Sequence, residues 1–331
     1  MLRSSEKSRP PTIKRTLEIS GFDAGVSIRS GVVTLRRAGE VVAQVATIDI
    51  GVLIVDTPNA TFTNAALVEI VDAGGLVILC GADHLPASYV LPVVGNELQV
   101  GRRLAQLQLP VGRRRRLWQQ LVRAKVANQA VATPDEDVRR QLGQLARRVR
   151  SGDPDNVEAQ AARIYWAQWL DGQPFIRDRH GEPPNNFLNY GYAVLRGVVA
   201  RELCAAGFDP SFGLHHIGRQ SGFPLADDFM EPLRPWVDRA ALELFRQGGR
   251  ELDRPAKARL LRVLYDPCWF DDTHSTVAVA TGRMIGSFTR VVAGEARALT
   301  IPRMPTEEEV FTYAEKSAPP QADDGTETSL E

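Results

Sequence analysis

The sequence predicts an α+β protein, with a small β-rich N-terminal domain over residues 13–95 and a larger all-α domain over residues 96–315. Three observations predict it. Before about residue 91, apolar residues alternate in short segments or form short continuous runs bounded by Gly or charged turns, as strands require. Between Val94 and Gln106 the apolar period lengthens to that of a helix and stays there nearly to the end. The residues outside these bounds are polar. A proline-containing lead over 1–12 and an acidic tail over 316–331 are expected to be disordered.

Taken in order, RTLEIS, GVSIRS, VVTLRR and VVAQVATI read as strands with one buried face. Ile50–Asp56, IGVLIVD, is continuously apolar and is expected to be a strand covered on both faces, as is Leu76–Cys80, LVILC. Between them, Thr63 or Asn64 can cap a helix that stops at Gly74-Gly75. His84 falls in a loop, GADHLP, and nothing in the β part carries an evident catalytic pattern. In the helical part, Leu117, Leu121, Val122 and Lys125 fall on one stripe of a long amphipathic helix. The segment 135–150 opens on acids and closes on arginines, the order the helix dipole favours. Helices then follow within 151–169 and within 183–199, from Pro224, and over 237–245 and 255–265. A break at 266–275 precedes the last helix.

Composition excludes several classes. The 331 residues carry 40 basic and 40 acidic side chains, so the whole molecule has no net attraction for a polyanion. The distribution differs from the total: residues 101–150 hold thirteen Lys/Arg and three acids. A neutral protein with one basic segment can bind nucleic acid on one face, and Arg102, Arg103, Arg113, Arg116, Arg147 and Arg148 are the candidate DNA contacts. The same charges could instead form an ordinary solvated helix face. Three well-separated cysteines, Cys80, Cys204 and Cys268, fit neither a disulfide framework nor a zinc knuckle and read as packing residues. No signal-peptide core and no run long enough to span a bilayer is present, so a cytoplasmic location is expected.

Two stretches concentrate chemistry. In Gly213–Pro235, GLHHIGRQSGFPLADDFMEPLRP, Pro224 suits the first position of a helix. Asp227 and Glu231 then share a face, with Asp228 three residues before Glu231. A turn that doubles back would bring His215 or His216 to these carboxylates. Imidazole with carboxylate oxygen suits Mg²⁺ or Mn²⁺ better than a closed structural zinc. Acids in the first turns of a helix also arise from the helix dipole alone. In Ser151–Trp169, the turn Asp153-Pro154-Asp155-Asn156 precedes Glu158, which lies on or beside the stripe Ala161, Ala162, Tyr165, Trp169. Glu158 either completes the helix cap or is a carboxylate aimed into a cleft.

DNVEAQAARIYW, NNFLNYGYAVLR and the string GLHHIGRQSGFPLADDFMEPLRP, in this order, closely resemble the integrase of CRISPR spacer acquisition, also called the CRISPR-associated endonuclease. RTLEISG, IGVLIVDTPNATFT and GADHLP extend the resemblance upstream, and the type II-C branch is the most similar. It covers nearly all of residues 13–310. By motif position it implies a catalytic helical domain in which Glu158, His216 and Glu231 hold Mg²⁺ or Mn²⁺, with Asp228 a further acid near the metal. It implies an endonuclease and integrase that inserts short duplex DNA into a CRISPR array by attack of a 3′-hydroxyl. It also implies a homodimer, two of which join a small companion adaptation protein in a heterohexamer. The loop Gly218-Arg219-Gln220-Ser221-Gly222 departs from the Asn-containing loop of close relatives. A metal-dependent nuclease without integration shares every one of these residues. A non-catalytic DNA-binding scaffold would not require them.

Overall fold

A computed structural model describes residues 14–21, 23–170, 173–178, 181–216, 222–306 and 308–309. The expected lead over 1–12 and tail over 316–331 lie outside the described residues, as do residues 218–221 of the divergent loop.

The N-terminal part is built from two four-stranded sheets. Strands β1 (Arg15–Ser20), β5 (Ile50–Asp56) and β7 (Leu76–Cys80) run parallel in the order β1-β5-β7, and β8 (Pro86–Val90) closes the sheet antiparallel to β7. The second sheet is a meander of β2 (Ala24–Arg29), β3 (Val32–Arg37) and β4 (Glu40–Ala46), with β6 (Thr61–Phe62) parallel to β2. Helix α1 (Asn64–Asp72) joins β6 to β7. Thr63 is its cap, the hydroxyl accepting from Ala66 N at 3.3 Å, which resolves the Thr63/Asn64 alternative. Two strands leave no signal in the sequence. β6 has two residues, too few for alternation to register, and β8 opens on a proline, which is tolerated because it is an edge strand.

The continuous apolar run of β5 has the explanation expected of it. Leu53 and Val55, with Val77 of β7, face a core shared with the second sheet and α1. Val52 and Ile54, with Leu76 and Ile78, face the opposite way into the core of the helical part. The first sheet is thus a middle layer, covered on both faces.

The helical part comprises α2 (Gln99–Leu107), α3 (Val111–Ala132), α4 (Glu136–Arg148), α5 (Val157–Gln168), α6 (Asn185–Ala205), α7 (Pro224–Met230), α8 (Arg234–Arg246), α9 (Arg254–Arg262) and α10 (Val277–Val292). The expectation of an all-α domain needs one correction. The break at 266–275 is a hairpin, β9 (Pro267–Phe270) paired antiparallel with β10 (Thr273–Thr276), whose Trp, Phe and Thr residues suit strands. Arg303 extends it by exchanging two backbone hydrogen bonds with Trp269. The axis of the body is α3, whose Leu117, Trp118, Leu121, Val122 and Val126 are all buried. Against it lies the 3₁₀ turn Glu231–Leu233 that joins α7 to α8. Pro232 and Pro235 lack the N–H groups that would have continued α7 unbroken. Asn128 of α3 fixes the turn, donating to Pro232 O at 2.8 Å and Pro302 O at 3.1 Å and accepting from Met304 N at 3.0 Å. At Gly191 of α6 a Cβ would lie 2.4 Å from Val237 Cγ1, so glycine sets how closely α6 and α8 approach.

Candidate active site

Glu158 and Glu231, 73 positions apart in sequence, meet on one cation. Lys125 Nζ lies 2.6 Å from Glu158 Oε1 and 2.6 Å from Glu231 Oε2. Each group arrives for a local reason. Glu158 is in the first turn of α5, where the capping is done by Asp153, whose carboxylate accepts from Val157 N at 2.9 Å and Glu158 N at 3.0 Å. That leaves the Glu158 side chain free of the cap and available to Lys125. Glu231 opens the 3₁₀ turn held on α3 by Asn128, one helical turn from Lys125. The other oxygen of Glu231 is held by Arg234 at 2.9 Å. Arg234 is itself fixed, its guanidinium 4.7 Å from the centroid of the Tyr192 ring, while the Tyr192 hydroxyl donates to buried Asp238.

The third candidate ligand, His216, lies in the loop before α7, near enough that both carboxylates act on it as charges. Its Nδ1 lies 2.6 Å from Asp228 Oδ1. Asp228 is fully buried and saturated: Oδ2 accepts from Leu214 N at 2.5 Å and His215 N at 3.0 Å, and Oδ1 accepts from His216 N at 3.2 Å. Asp228 therefore turns the chain over its own carboxylate, as the doubling-back expected from the sequence requires. Gly213 makes the turn possible, because a Cβ there would lie 2.3 Å from His216 O and 3.0 Å from Asp228 Oδ2. His215 goes elsewhere: its ring stacks on Trp118 of α3 with centroids 4.2 Å apart and planes 1° apart. The edge of the same indole meets His216 at 5.4 Å. Asp227, on the far side of α7, pairs with Arg196 at 2.6 Å.

The electrostatics follow from these contacts. The hydrogen bond to Asp228 raises the pKa of His216 above its ordinary value, with Asp228, Glu231 and Glu158 as negative neighbours. Burial alone would push the Glu231 carboxyl up, but Arg234 and Lys125 together outweigh it and hold it below the usual range. Burial likewise opposes the charge on Lys125, and Glu231 and Glu158 overcome it, so the ammonium is held more firmly than in water.

The donor set fits a hard divalent cation. Two carboxylates converge on a positive charge, and Glu231 Oε2 is buried without a hydrogen bond although the ammonium is 2.6 Å away. With Nδ1 of His216 committed to Asp228, Nε2 is the nitrogen left for a ligand, the usual arrangement for a metal-binding histidine. Among the described residues, no three His, Cys, Asp or Glu side chains stand around one point as a ready metal cluster, since Lys125 occupies the centre of the carboxylate pair. Periodicity places Lys125 on an apolar stripe without giving it a role. A lysine among Leu117, Leu121 and Val122 is the signal that it meets buried acids.

The candidate DNA contacts divide. Arg102 donates to Ala206 O at 2.8 Å and Arg113 to Val291 O at 3.1 Å, each closing the C-terminal end of a helix, α6 and α10 respectively. Arg103 is half-buried with Nε unpartnered. Arg116, Arg147 and Arg148 are exposed. A cavity of about 220 Å³ opens beside His216, lined among others by Leu107, Arg114, Phe212 and Leu214. No described helix is long and apolar enough to cross a membrane. Cys204 and Cys268 are buried and Cys80 half-buried, all as free thiols, and burial pushes those of Cys80 and Cys268 up to about 12.

Comparison with known proteins bears on the family of the chain. The family model "CRISPR associated protein Cas1" matches residues 17–256. The CRISPR-associated endonuclease Cas1 of Neisseria meningitidis is 35% identical over 262 residues, which are 77% of this chain and 86% of the relative. The CRISPR-associated endonuclease Cas1 2 of Saccharolobus solfataricus is 26% identical over 71% of this chain and 77% of its own length. Among solved structures, a casposase bound to integration product superposes with a TM-score of 0.70 at 15% identity, covering 91% of this chain and 99% of that one. The Cas1 protein of Thermotoga maritima superposes with a TM-score of 0.65 at 14% identity, covering 85% and 98%. At such identities the superpositions speak for the fold alone, whereas the family match and the Neisseria relative speak for descent: this chain belongs to the Cas1 family.

Proposed function

We propose that the protein is a metal-dependent DNA endonuclease and integrase that inserts short duplex DNA into a CRISPR array. The observation that carries the reading is the meeting of Glu158 and Glu231 on one positive charge, with His216 set beside them by Asp228. Relatives that bear the name CRISPR-associated endonuclease, and a fold shared with a casposase bound to integration product, favour the same chemistry. Glu158, Glu231 and His216 Nε2 would hold Mg²⁺ or Mn²⁺, both suited to oxygen donors with one imidazole. When bound, such an ion acidifies a hydroxyl nucleophile and stabilises charge on a phosphoryl oxygen.

The chain's own residues do the rest. In the neutral imidazole Asp228 keeps the proton of His216 on Nδ1, which leaves Nε2 open to a ligand. Arg234 holds Glu231 charged and oriented, and Tyr192 with Asp238 holds Arg234. Arg114 and Phe212, in the cavity beside His216, offer a cation for phosphate and a ring for a base at the reacting DNA end. Arg116, Arg147 and Arg148 contribute to the duplex path from the exposed side. We take the working unit to be a homodimer that joins a small companion protein; a Cas6-RT-Cas1–Cas2 complex, which superposes at a TM-score of 0.65 and 18% identity, favours such a companion.

The test is a strand-transfer assay with a repeat-containing plasmid, a labelled short duplex and Mn²⁺ or Mg²⁺. Label covalently joined to the plasmid at the repeat supports integration. Nicking without joined label would leave a nuclease in which water is the nucleophile. Neither product, with metal and companion protein present, would overturn the reading.

A further inference from the structure

Lys125 has a place in this site that the ligand set does not explain. Its ammonium stands at the point on which both carboxylates converge, 2.6 Å from each. It reaches that point from the buried stripe of α3, between Leu121 and Val122 on one side and Val126 on the other, and its side chain is only 12% exposed. The local charge count is already closed: Glu158 and Glu231 are balanced by Lys125 and Arg234. A divalent cation added to that set would sit against two positive side chains a few ångströms away, where repulsion in a partly buried site is costly.

The two cations differ in how they are held. Arg234 has a planar fork on Glu231 and lies over the Tyr192 ring, which is tied to Asp238. Lys125 is a point charge on a flexible four-carbon stem, and its only polar partners among the described residues are the two carboxylates. Glu158, the more exposed of the two at 21%, marks the side on which the ammonium can leave.

We propose that Lys125 is an exchangeable internal cation. It holds the acid pair together in the metal-free protein and withdraws when a divalent ion enters between Glu158 and Glu231. The inference rests on the metal reading of the site. It explains how a buried carboxylate and a partly buried one face each other without a metal, since like charges would otherwise repel. It also means that metal affinity is set below what the ligands alone would give, because each binding event breaks two ion pairs.

The experiment compares wild type, Lys125→Met, Lys125→Arg and Glu231→Gln, using Mn²⁺ alone as the probe. Bound Mn²⁺ is read from loss of the free-ion electron paramagnetic resonance signal, and melting is followed with and without metal. Lys125→Met is expected to melt lower than wild type without metal, yet to bind Mn²⁺ at least about tenfold tighter, the factor that corresponds to 1.4 kcal/mol. Its Mn²⁺-induced rise in melting temperature therefore exceeds that of wild type. Lys125→Arg, whose fork clamps both carboxylates, is expected to bind more weakly than wild type. Equal or weaker Mn²⁺ binding by a folded Lys125→Met would overturn the proposal.

A second measurement uses the wild type alone and survives a variant that fails to fold. Lysines are acetylated with acetic anhydride and read by peptide mass spectrometry, with and without Mn²⁺. Lys125 should be protected without metal and modified once Mn²⁺ is added, and an unchanged labelling pattern in protein shown to bind Mn²⁺ would overturn the proposal. If neither wild type nor Lys125→Met binds Mn²⁺, the metal reading itself falls and takes the proposal with it. That result is distinct from tight binding insensitive to residue 125, which removes the proposal alone.

Discussion

Asp228→Asn removes one charge and no volume, and its consequence can be worked from four contacts. The carboxylate accepts from Leu214 N and His215 N on one oxygen and from His216 N and His216 Nδ1 on the other. An amide has one acceptor and one donor end. If its oxygen faces His216, its NH₂ points at two backbone N–H groups that then lose their acceptor, at about 1–3 kcal/mol each where they are buried. The loop is exposed at His215 and His216 and can relax, so a net loss of about 2–4 kcal/mol is expected rather than the full sum. For a chain of this size that is about 3–6 °C in melting temperature. If the amide flips, its NH₂ meets His216 Nδ1, which must then accept, and the proton moves to Nε2, the nitrogen proposed as a ligand. Either orientation damages metal binding, by about 10–100-fold. Calorimetric titration with Mn²⁺ and thermal melts of the metal-free variant measure the two effects separately. A variant that melts with wild type and binds Mn²⁺ equally well would refute the view that Asp228 carries His216.

Three further outcomes are expected. Glu158→Gln and Glu231→Gln should each abolish metal-dependent nicking and strand transfer while DNA binding, read by electrophoretic shift, persists; wild-type strand transfer in both would move the site elsewhere. Reversing Arg147 and Arg148 together to Glu should weaken DNA binding whatever the sequence, and should flatten the log–log salt dependence by about 0.9 for each phosphate that is no longer neutralised. An unchanged slope would mean that this end of α4 is solvated rather than bound. The third outcome concerns pH. The pKa of His216 is raised in the folded protein, chiefly by Asp228, so its contribution to stability is complete below the unfolded value near 6.5 and is lost as pH rises through the higher folded value. Mn²⁺ affinity should change in the opposite sense over the same window, rising as the imidazole sheds the proton that competes for Nε2. His216→Gln should remove both trends from melts and titrations run from about pH 5.5 to 8.5, and their persistence would assign them to another group.

All strands of the β part except β6 and β8 are legible in the sequence because alternation and Gly-bounded runs are local, and β5 reads as buried on both faces for the reason it proves to be. Pro224 marks the start of α7 because the helix needs no N–H there. Glu158 is conspicuous as an acid beside Ala161 and Tyr165, but only Asp153, five residues earlier, shows that it is not a cap. The meeting of Lys125 with Glu158 and Glu231 cannot be read from periodicity, since it depends on how α3, α5 and the Glu231–Leu233 turn cross. Asp228 and Glu231 are chemically alike in sequence; the first is consumed by backbone N–H groups and the His216 ring, and the second meets Lys125 and Arg234. Arg102 and Arg113 look like surface charges until the ends of α6 and α10 arrive beside them.

The middle sheet lends one face to each core, and this limits how the chain can be taken apart. Lys257 of α9, almost fully buried, ends on Asp56 at the tip of β5, and Asp56 also holds His84 Nδ1 at 2.9 Å. Tyr89 of β8 donates to Ala193 O of α6 at 2.6 Å, and Gly197 leaves space for that ring. Cleaving the polypeptide near residue 95 would therefore yield two halves that each display a greasy surface, one of them with an orphaned lysine inside it. Grafting the N-terminal portion of a distant cousin onto these helices would have to carry Val52, Ile54, Leu76, Ile78 and Asp56 along as a matched set. The β part is tied to its helices by shared packing and buried polar contacts and does not form a separable module.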